Sequence, residues 1–247
     1  MTLLLVSALI FLAYVVYGLI GFGASIVGIP LLAQVIPLKL AVPLMLIMDL
    51  VSGFFMGMRN KQDVDRKELR VLLAWMAVGM VIGVTLLVNA PESILLVLLG
   101  VFALSQAGKN LLLKPNLKPI GAFWGGIYCT VGGIFTSLYG TGGPIYVVYL
   151  SRRIHEEVKR RATMATLIFL SGFGRLALFL IAGIMLQADL LIFALAALPM
   201  SLLGTYAGSR LRRRLSLARM NQVVWLVVGL AGLLLLARNI PKLESLF

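Results

Sequence analysis

The sequence predicts an all-α polytopic membrane protein made of two inverted-topology repeats, each a broken-helix hairpin plus three transmembrane helices. Three observations predict it: an apolar composition, a series of apolar runs of membrane length, and basic residues gathered in a few short connections. Of 247 residues, 61% are hydrophobic and 13% charged, whereas a soluble domain carries roughly 25% charged residues. Too few polar side chains remain to coat a water-facing surface. Apolar runs near 2–20, 40–58, 69–88, 92–108, 119–138, 162–184, 188–207 and 220–237 each approach or exceed the roughly 17–20 residues that cross a hydrocarbon core. Two shorter apolar pieces, near 24–36 and 143–151, follow the first and the fifth of these runs.

The basic connections set the topology. Arg59–Arg70, Lys109–Lys118, Arg152–Arg161 and Arg210–Arg219 are rich in Lys and Arg, so the positive-inside rule places all four in the cytoplasm. Connections near Asn89–Ser93 and Met185–Asp189 contain no Lys or Arg and go outside. Because 109–118 and 152–161 lie on the same side, everything between them must enter and return on that side. Run 119–138, a turn and piece 143–151 therefore form a hairpin. The same parity makes 2–20 and 24–36 a hairpin that starts and ends outside, and puts both termini outside the cytoplasm. Each half then holds a hairpin and three crossings, and an odd number of crossings inverts the second half relative to the first. The division falls at 1–112 and 113–247.

Internal similarity follows the same order. Gly21-Phe22-Gly23-Ala24-Ser25-Ile26 aligns with Gly140-Thr141-Gly142-Gly143-Pro144-Ile145, and Ser52-Gly53 meets Ser171-Gly172 at the same offset. Further on, Gly79-x-x-x-Gly83 meets Gly204-x-x-x-Gly208.

A helix interrupted inside a bilayer exposes backbone N–H and C=O groups, which is tolerated only where the backbone is buried in protein or lines a wet cavity. Glycine supplies the positive φ such a break requires and lets a ligand approach the main chain. Pro144 suits the first turn of the helix that follows. The start of each short helix presents free N–H donors and the positive end of a helix dipole, so two such starts, with the Ser25 and Thr141 hydroxyls, would form an anion site. Close packing is the competing explanation for glycine, and small-x-x-x-small spacing assigns it to Gly53/Gly57, Gly79/Gly83, Gly121/Gly125 and Gly204/Gly208. Neither turn is a nucleotide loop, since no Gly-Lys-Ser/Thr follows.

The paired turns, each followed by a short apolar helix with a nearby proline (GFGASIVGIP and GTGGPIYVVY), resemble the TauE/SafE family, the sulfite-exporter-like anion permeases of bacteria. The resemblance runs from Leu4 to about Ala237. It implies a multi-pass protein of the bacterial inner membrane. It also implies transport of a small sulfur-containing anion such as sulfite or an organosulfonate, with export as the expected direction and alternating access as the mechanism. Ala24-Ser25 departs from the glycine-richest form of the turn. The expected substrate-binding set is Gly21, Gly23, Ala24, Ser25, Gly140, Thr141, Gly142, Gly143 and Arg175.

Two ionisable residues fall at membrane depth, where each costs about 2.5–3.5 kcal/mol on insertion scales and marks a functional candidate. Arg175 would offer a fork of donors to an oxyanion, and Asp49 could carry a coupling proton or serve as a counter-charge. Alternatively the two pair with each other, or either faces a water-filled vestibule. Gln34, Ser52, Gln106, Thr136, Ser137, Thr166 and Ser171 are weaker cavity candidates, and Tyr139, Tyr146 and Tyr149 either line a gate or anchor at the interface.

Other function classes fare worse. A net charge of +13 would suit nucleic acid in a soluble protein, but here the charge sits in loops where membrane orientation requires it, and no nucleic-acid partner is expected. Cys129 is the only cysteine and His155 the only histidine, so neither a disulfide nor a Cys/His metal centre is expected, and no cofactor is implied. Met1-Thr2-Leu3 lacks the basic start of a signal peptide, so the first run reads as a retained helix. A membrane enzyme lacks its nucleophile–base pair. The partners expected are a small anionic substrate, the lipid bilayer and, for a homo-oligomer, further copies of the chain; sulfate or a carboxylate carried by a transporter or channel is the alternative cargo.

Overall fold

The computed structural model describes residues 2–20, 23–56, 64–112, 120–121, 123–212 and 217–244, most of them in α-helices joined by short turns. In chain order the helices are α1 Thr2–Ile20, α2 Ala24–Leu32, α3 Leu38–Met56, α4 Arg66–Asn89, α5 Glu92–Leu112, α6 Phe123–Tyr139, α7 Gly143–Arg153, α8 Glu157–Ile181, α9 Ala188–Leu211 and α10 Leu217–Glu244. Every apolar run has its helix, and the two short pieces are α2 and α7, with 9 and 11 residues. Six helices among the described residues are long and apolar enough to cross a membrane: α1, α4, α5, α8, α9 and α10. The 24 residues of α4 extend about 36 Å at 1.5 Å per residue, enough for the hydrocarbon core. Large apolar side chains such as Phe173, Ile181, Leu195 and Leu230 are exposed on these helices, as lipid contact requires.

Boundaries shift where local chemistry demands it. The expected piece 24–36 is helical only to Leu32, and residues 33–36 close in turn hydrogen bonds. Pro37 follows, and a residue before proline is pushed out of the helical region. Helix α8 begins earlier than the apolar run, at Glu157, so the basic connection between α7 and α8 shrinks to Ile154–Glu156 and most of its charges sit on helix ends.

The chain forms two compact units, each drawing helices from both halves of the sequence. The first contains α1, α2, α3 as far as Met48, α5, α9 and α10. There α1 lies along α9, with Gly204 and Gly208 against the backbone of Phe11 and Val15, and Gly18 against Thr205 and Ser209. Helix α5 meets α10 at Gly100 and Gly232. Helix α2 folds back on α1 so that Gly28 lies against Ala13 and Met45. Polar side chains hold its far end: Arg238 Nη1 donates to the Gln34 carbonyl at 3.0 Å, and Glu92 Oε1 accepts the Leu38 N–H at 2.5 Å.

The second unit contains α3 from Asp49, α4, α6, α7 and α8. Helix α4 crosses α6 with Gly79 and Gly83 against Thr130 and Ile134, while Gly133 sits on Met76. Its core gathers Leu69, Leu72, Met76, Cys129, Tyr149 and Leu167 with their neighbours. In lipid, helices associate through close packing rather than apolar burial, which explains why glycine occupies each crossing. The packing role assigned to Gly79/Gly83, Gly204/Gly208 and Gly125 matches these contacts. A side chain at Gly121, by contrast, would meet nothing within 4 Å. Gly57 lies outside the described residues.

Candidate functional site: the start of helix α7

Helix α6 ends in a left-handed glycine. Gly140 has φ +63°, its N–H bonds to the Thr136 carbonyl at 2.8 Å, and the Thr141 N–H reaches back to Phe135 at 3.2 Å. A left-handed residue at a helix end turns the chain out while satisfying the last carbonyls, and glycine adopts it without strain. Gly142 then caps α7 with φ −66°, and the N–H groups of Ile145 and Tyr146 both bond to its carbonyl at 3.0 and 3.1 Å. Pro144 occupies the first turn, where a missing N–H is harmless.

From this turn α7 runs back along α6 on a single stripe, Gly142, Tyr146, Tyr149 and Arg153, spaced four, three and four residues apart. Gly142 is glycine for want of room, because a β-carbon there would overlap Thr136 Oγ1, the Gly132 carbonyl and the Tyr146 ring. The Tyr146 ring lies over Gly132, and its hydroxyl shares a 2.8 Å hydrogen bond with Thr136 Oγ1, which also donates to the Gly132 carbonyl at 2.7 Å. Tyr139, Tyr146 and Tyr149 are all buried, and Tyr146 and Tyr149, which lie on Gly132 and Gly125 of α6, brace the hairpin.

Two features of this turn are not explained by packing. Thr141 is 2% exposed, yet its hydroxyl has no hydrogen-bond partner among the described residues. A buried hydroxyl left unsatisfied costs about 1–3 kcal/mol. Beside it Gly143 faces open space, since an added β-carbon would meet nothing within 4 Å. The first turn of any α-helix leaves N–H groups without intrahelical acceptors. An unmet hydroxyl, helix-start N–H donors and room next to them are the parts of a seat for a small hydrogen-bond acceptor, and the helix dipole favours an anion.

Arg175 belongs to the same unit. It is 4% exposed, and its guanidinium lies 5.7 Å from the Phe179 ring centroid. Asp49, in α3, is partly buried and engaged with a neighbour. Ser52 is fully buried, and its hydroxyl has no partner among the described residues. Thr136, Ser137, Thr166 and Ser171 instead donate to carbonyls of their own helices, which accounts for them structurally.

The other turn belongs to the other unit. Gly21 lies outside the described residues. Gly23 caps α2 with φ +87°, and a β-carbon there would meet only Ile26 Cγ2, at 3.5 Å. Ala24 and Ser25 are buried, and Ser25 is engaged. The two anion-site halves expected from the sequence therefore stand in separate units, 23–25 in one and 140–143 with Arg175 in the other.

Sequence reasoning missed the polar cluster at the opposite end of α7. Glu68 of α4 accepts a hydrogen bond from the Tyr149 hydroxyl and pairs with Arg153 Nε at 3.4 Å. Asp65 accepts the Glu68 N–H at 3.1 Å and pairs with Lys159 at 3.6 Å, while its own N–H donates to Thr163 Oγ1 at 3.0 Å. The Glu68 N–H, with Lys159 beside it, holds the Asp65 carboxyl below its ordinary value against a smaller opposing effect of burial. Asp65-x-x-Glu68 has the spacing of a helix capping box, a signal that was available in the sequence.

Six helices among the described residues that are long and apolar enough to cross a membrane, together with two helix pairs broken at glycine turns, are what a multi-pass membrane transporter requires. The sequence model of the family described as Sulfite exporter TauE/SafE matches residues 6–235, and the chain belongs to that family. It is a multi-pass membrane transporter and not an enzyme. It is 25% identical over 193 residues to a protein of Comamonas testosteroni described as Probable inner membrane transporter protein TsaS, covering 77% of this chain and 80% of that one. No solved structure matches the chain.

Proposed function

We propose that the chain is a secondary transporter of a small sulfur-containing anion, sulfite or an organosulfonate, with export as its direction and alternating access as its mechanism. The observation that carries the reading is the buried, unpartnered Thr141 hydroxyl at the start of α7, next to the open face of Gly143. Thr141 and the N–H groups of Gly142 and Gly143 donate to the anion. Arg175 supplies fixed positive charge nearby. Family membership and the similarity to a transporter of an inner membrane support the cargo class and the location.

The repeats 1–112 and 113–247, inverted by three crossings each, are part of this reading, with Gly21, Gly23, Ala24 and Ser25 as the substrate-binding residues of the first repeat. Each hairpin's first helix lies against a Gly-x-x-x-Gly helix of the other half, α1 on Gly204/Gly208 and α6 on Gly79/Gly83, which supports a pseudo-symmetric exchange of the fourth helix. Asp49 serves as counter-charge or proton carrier. Sulfate or a carboxylate is the competing cargo. Counterflow in proteoliposomes against sulfite, methanesulfonate, sulfate and acetate decides between them: sulfite or methanesulfonate should exchange fastest. Exchange confined to acetate, or none at all, would contradict the reading.

A further inference from the structure

We infer that Glu68 is a positioning residue for transport, which holds the start of α7 in place by gripping the helix from its other end. The inference rests on the reading of that start as the anion seat. Three observations support it.

First, Glu68 is available for the task because another residue has taken its local one. In a capping box, the residue three positions into the helix reaches back to the N–H of the cap. Here Asp65 caps α4 by accepting the Glu68 N–H, but the Asp65 N–H is taken by Thr163 of α8. The Glu68 carboxylate is thereby released to α7.

Second, it engages α7 at two points on one face. Tyr149 and Arg153 are four residues apart, so their side chains emerge together, and both reach Glu68 Oε1. The Tyr149 ring has no slack, since it lies on Gly125 of α6, where a β-carbon would stand 2.6 Å from the hydroxyl. The Glu68 side chain is only 16% exposed. Of its partners, Tyr149 is buried while the Arg153 side chain is 40% exposed, so the shielded hydrogen bond from Tyr149 carries most of the grip and the ion pair adds little.

Third, the gripped stripe is continuous with the seat. Tyr149 lies six residues from Gly143, about 9 Å along a helix, and the stripe passes through Tyr146, which is hydrogen-bonded to Thr136 and packed beside Gly142. An 11-residue helix is a rigid lever at this length. Moving its basic end moves the N–H groups and Thr141 at the other. Glu68 touches no substrate and acts through α7.

The test uses the full-length protein in detergent and a thiol introduced by Gly143→Cys, labelled with iodoacetamide. Cys129 is buried, and the chain without Gly143→Cys provides the blank. Adding Glu68→Ala should speed labelling about fivefold by raising the local opening of α7. Glu68→Gln keeps an oxygen to accept from Tyr149 and should restore most of the slower rate. Tyr149→Phe removes one hydroxyl, threatens folding least and should behave like Glu68→Ala. Labelling within about twofold of the parent in Tyr149→Phe, or a fall in thermal midpoint with no local change in Glu68→Ala, would overturn the assignment. Protection of the same thiol by methanesulfonate is scored separately. Faster labelling on loss of Glu68 without any protection supports the grip on α7 and contradicts only the anion reading.

Discussion

The two glycine turns look alike in sequence and differ in what their glycines do. At aligned positions, Gly23 has φ +87° and Gly142 has φ −66°. Gly23 is demanded by its backbone angle, since a β-carbon there has room. Gly142 is demanded by crowding, since its angle suits any residue. The left-handed residue of the second turn is Gly140 instead. Their polar side chains differ as well: Ser25 is engaged, whereas the Thr141 hydroxyl is buried without a partner among the described residues. A repeated motif can thus preserve a broken helix while the physical reason for each glycine changes, and the asymmetry supports the second turn as the proposed anion seat.

Substitutions should separate the two cases. Gly142→Ala forces a β-carbon into Thr136, Gly132 and Tyr146, and should destabilise the protein by about 1–3 kcal/mol as overpacking does. Gly142→Asn should be at least as harmful. Gly23→Ala should cost about 1–2 kcal/mol through backbone strain alone, but there Asn should recover much of the loss because it tolerates the left-handed region. Thermal unfolding in detergent checks both pairs, and equal behaviour of Asn at the two sites would erase the distinction.

Smaller effects test the bracing around the second turn. Tyr146→Phe removes the hydrogen bond to Thr136 and should cost about 1 kcal/mol, since Thr136 retains the Gly132 carbonyl. The Asp65 cluster gives the smallest and a pH-dependent effect. A carboxyl held below its ordinary value of 3.8 stabilises the fold above about pH 4, and that contribution is lost as pH falls through the lowered value. Acid unfolding of Asp65→Asn should therefore lie close to that of the parent once pH has fallen below the lowered value and diverge by a few tenths of a kcal/mol above about pH 5.

Much of the architecture was legible beforehand. The ten helices among the described residues, two of them short, follow from apolar run length, and the hairpin partners α1–α2 and α6–α7 follow from the parity of basic connections. These are local or additive signals, which a chain carries openly. The individual roles of polar residues were not legible. Thr136, Thr166 and Ser171 resemble Thr141 as letters, yet each donates to a carbonyl three or four residues back and Thr141 does not. Whether a hydroxyl is satisfied depends on where its helix stops. Nor could the pairing of Glu68 with Tyr149, 81 residues apart, be found from spacing, since only the fold brings α4 to α7. The nearby Asp65-x-x-Glu68 pattern would even have misdirected the search, by assigning Glu68 to its own helix end.

The central claim is that Thr141 is unsatisfied because its partner is the transported anion. Thr141→Val replaces the hydroxyl with a methyl of similar shape. If the claim holds, the ligand-free protein should be as stable as the parent or more so, because a buried unmet hydroxyl has been removed. The affinity for sulfite, measured by titration calorimetry, should at the same time fall about tenfold, the equivalent of about 1.4 kcal/mol. Unchanged sulfite affinity in a folded Thr141→Val protein would contradict the account.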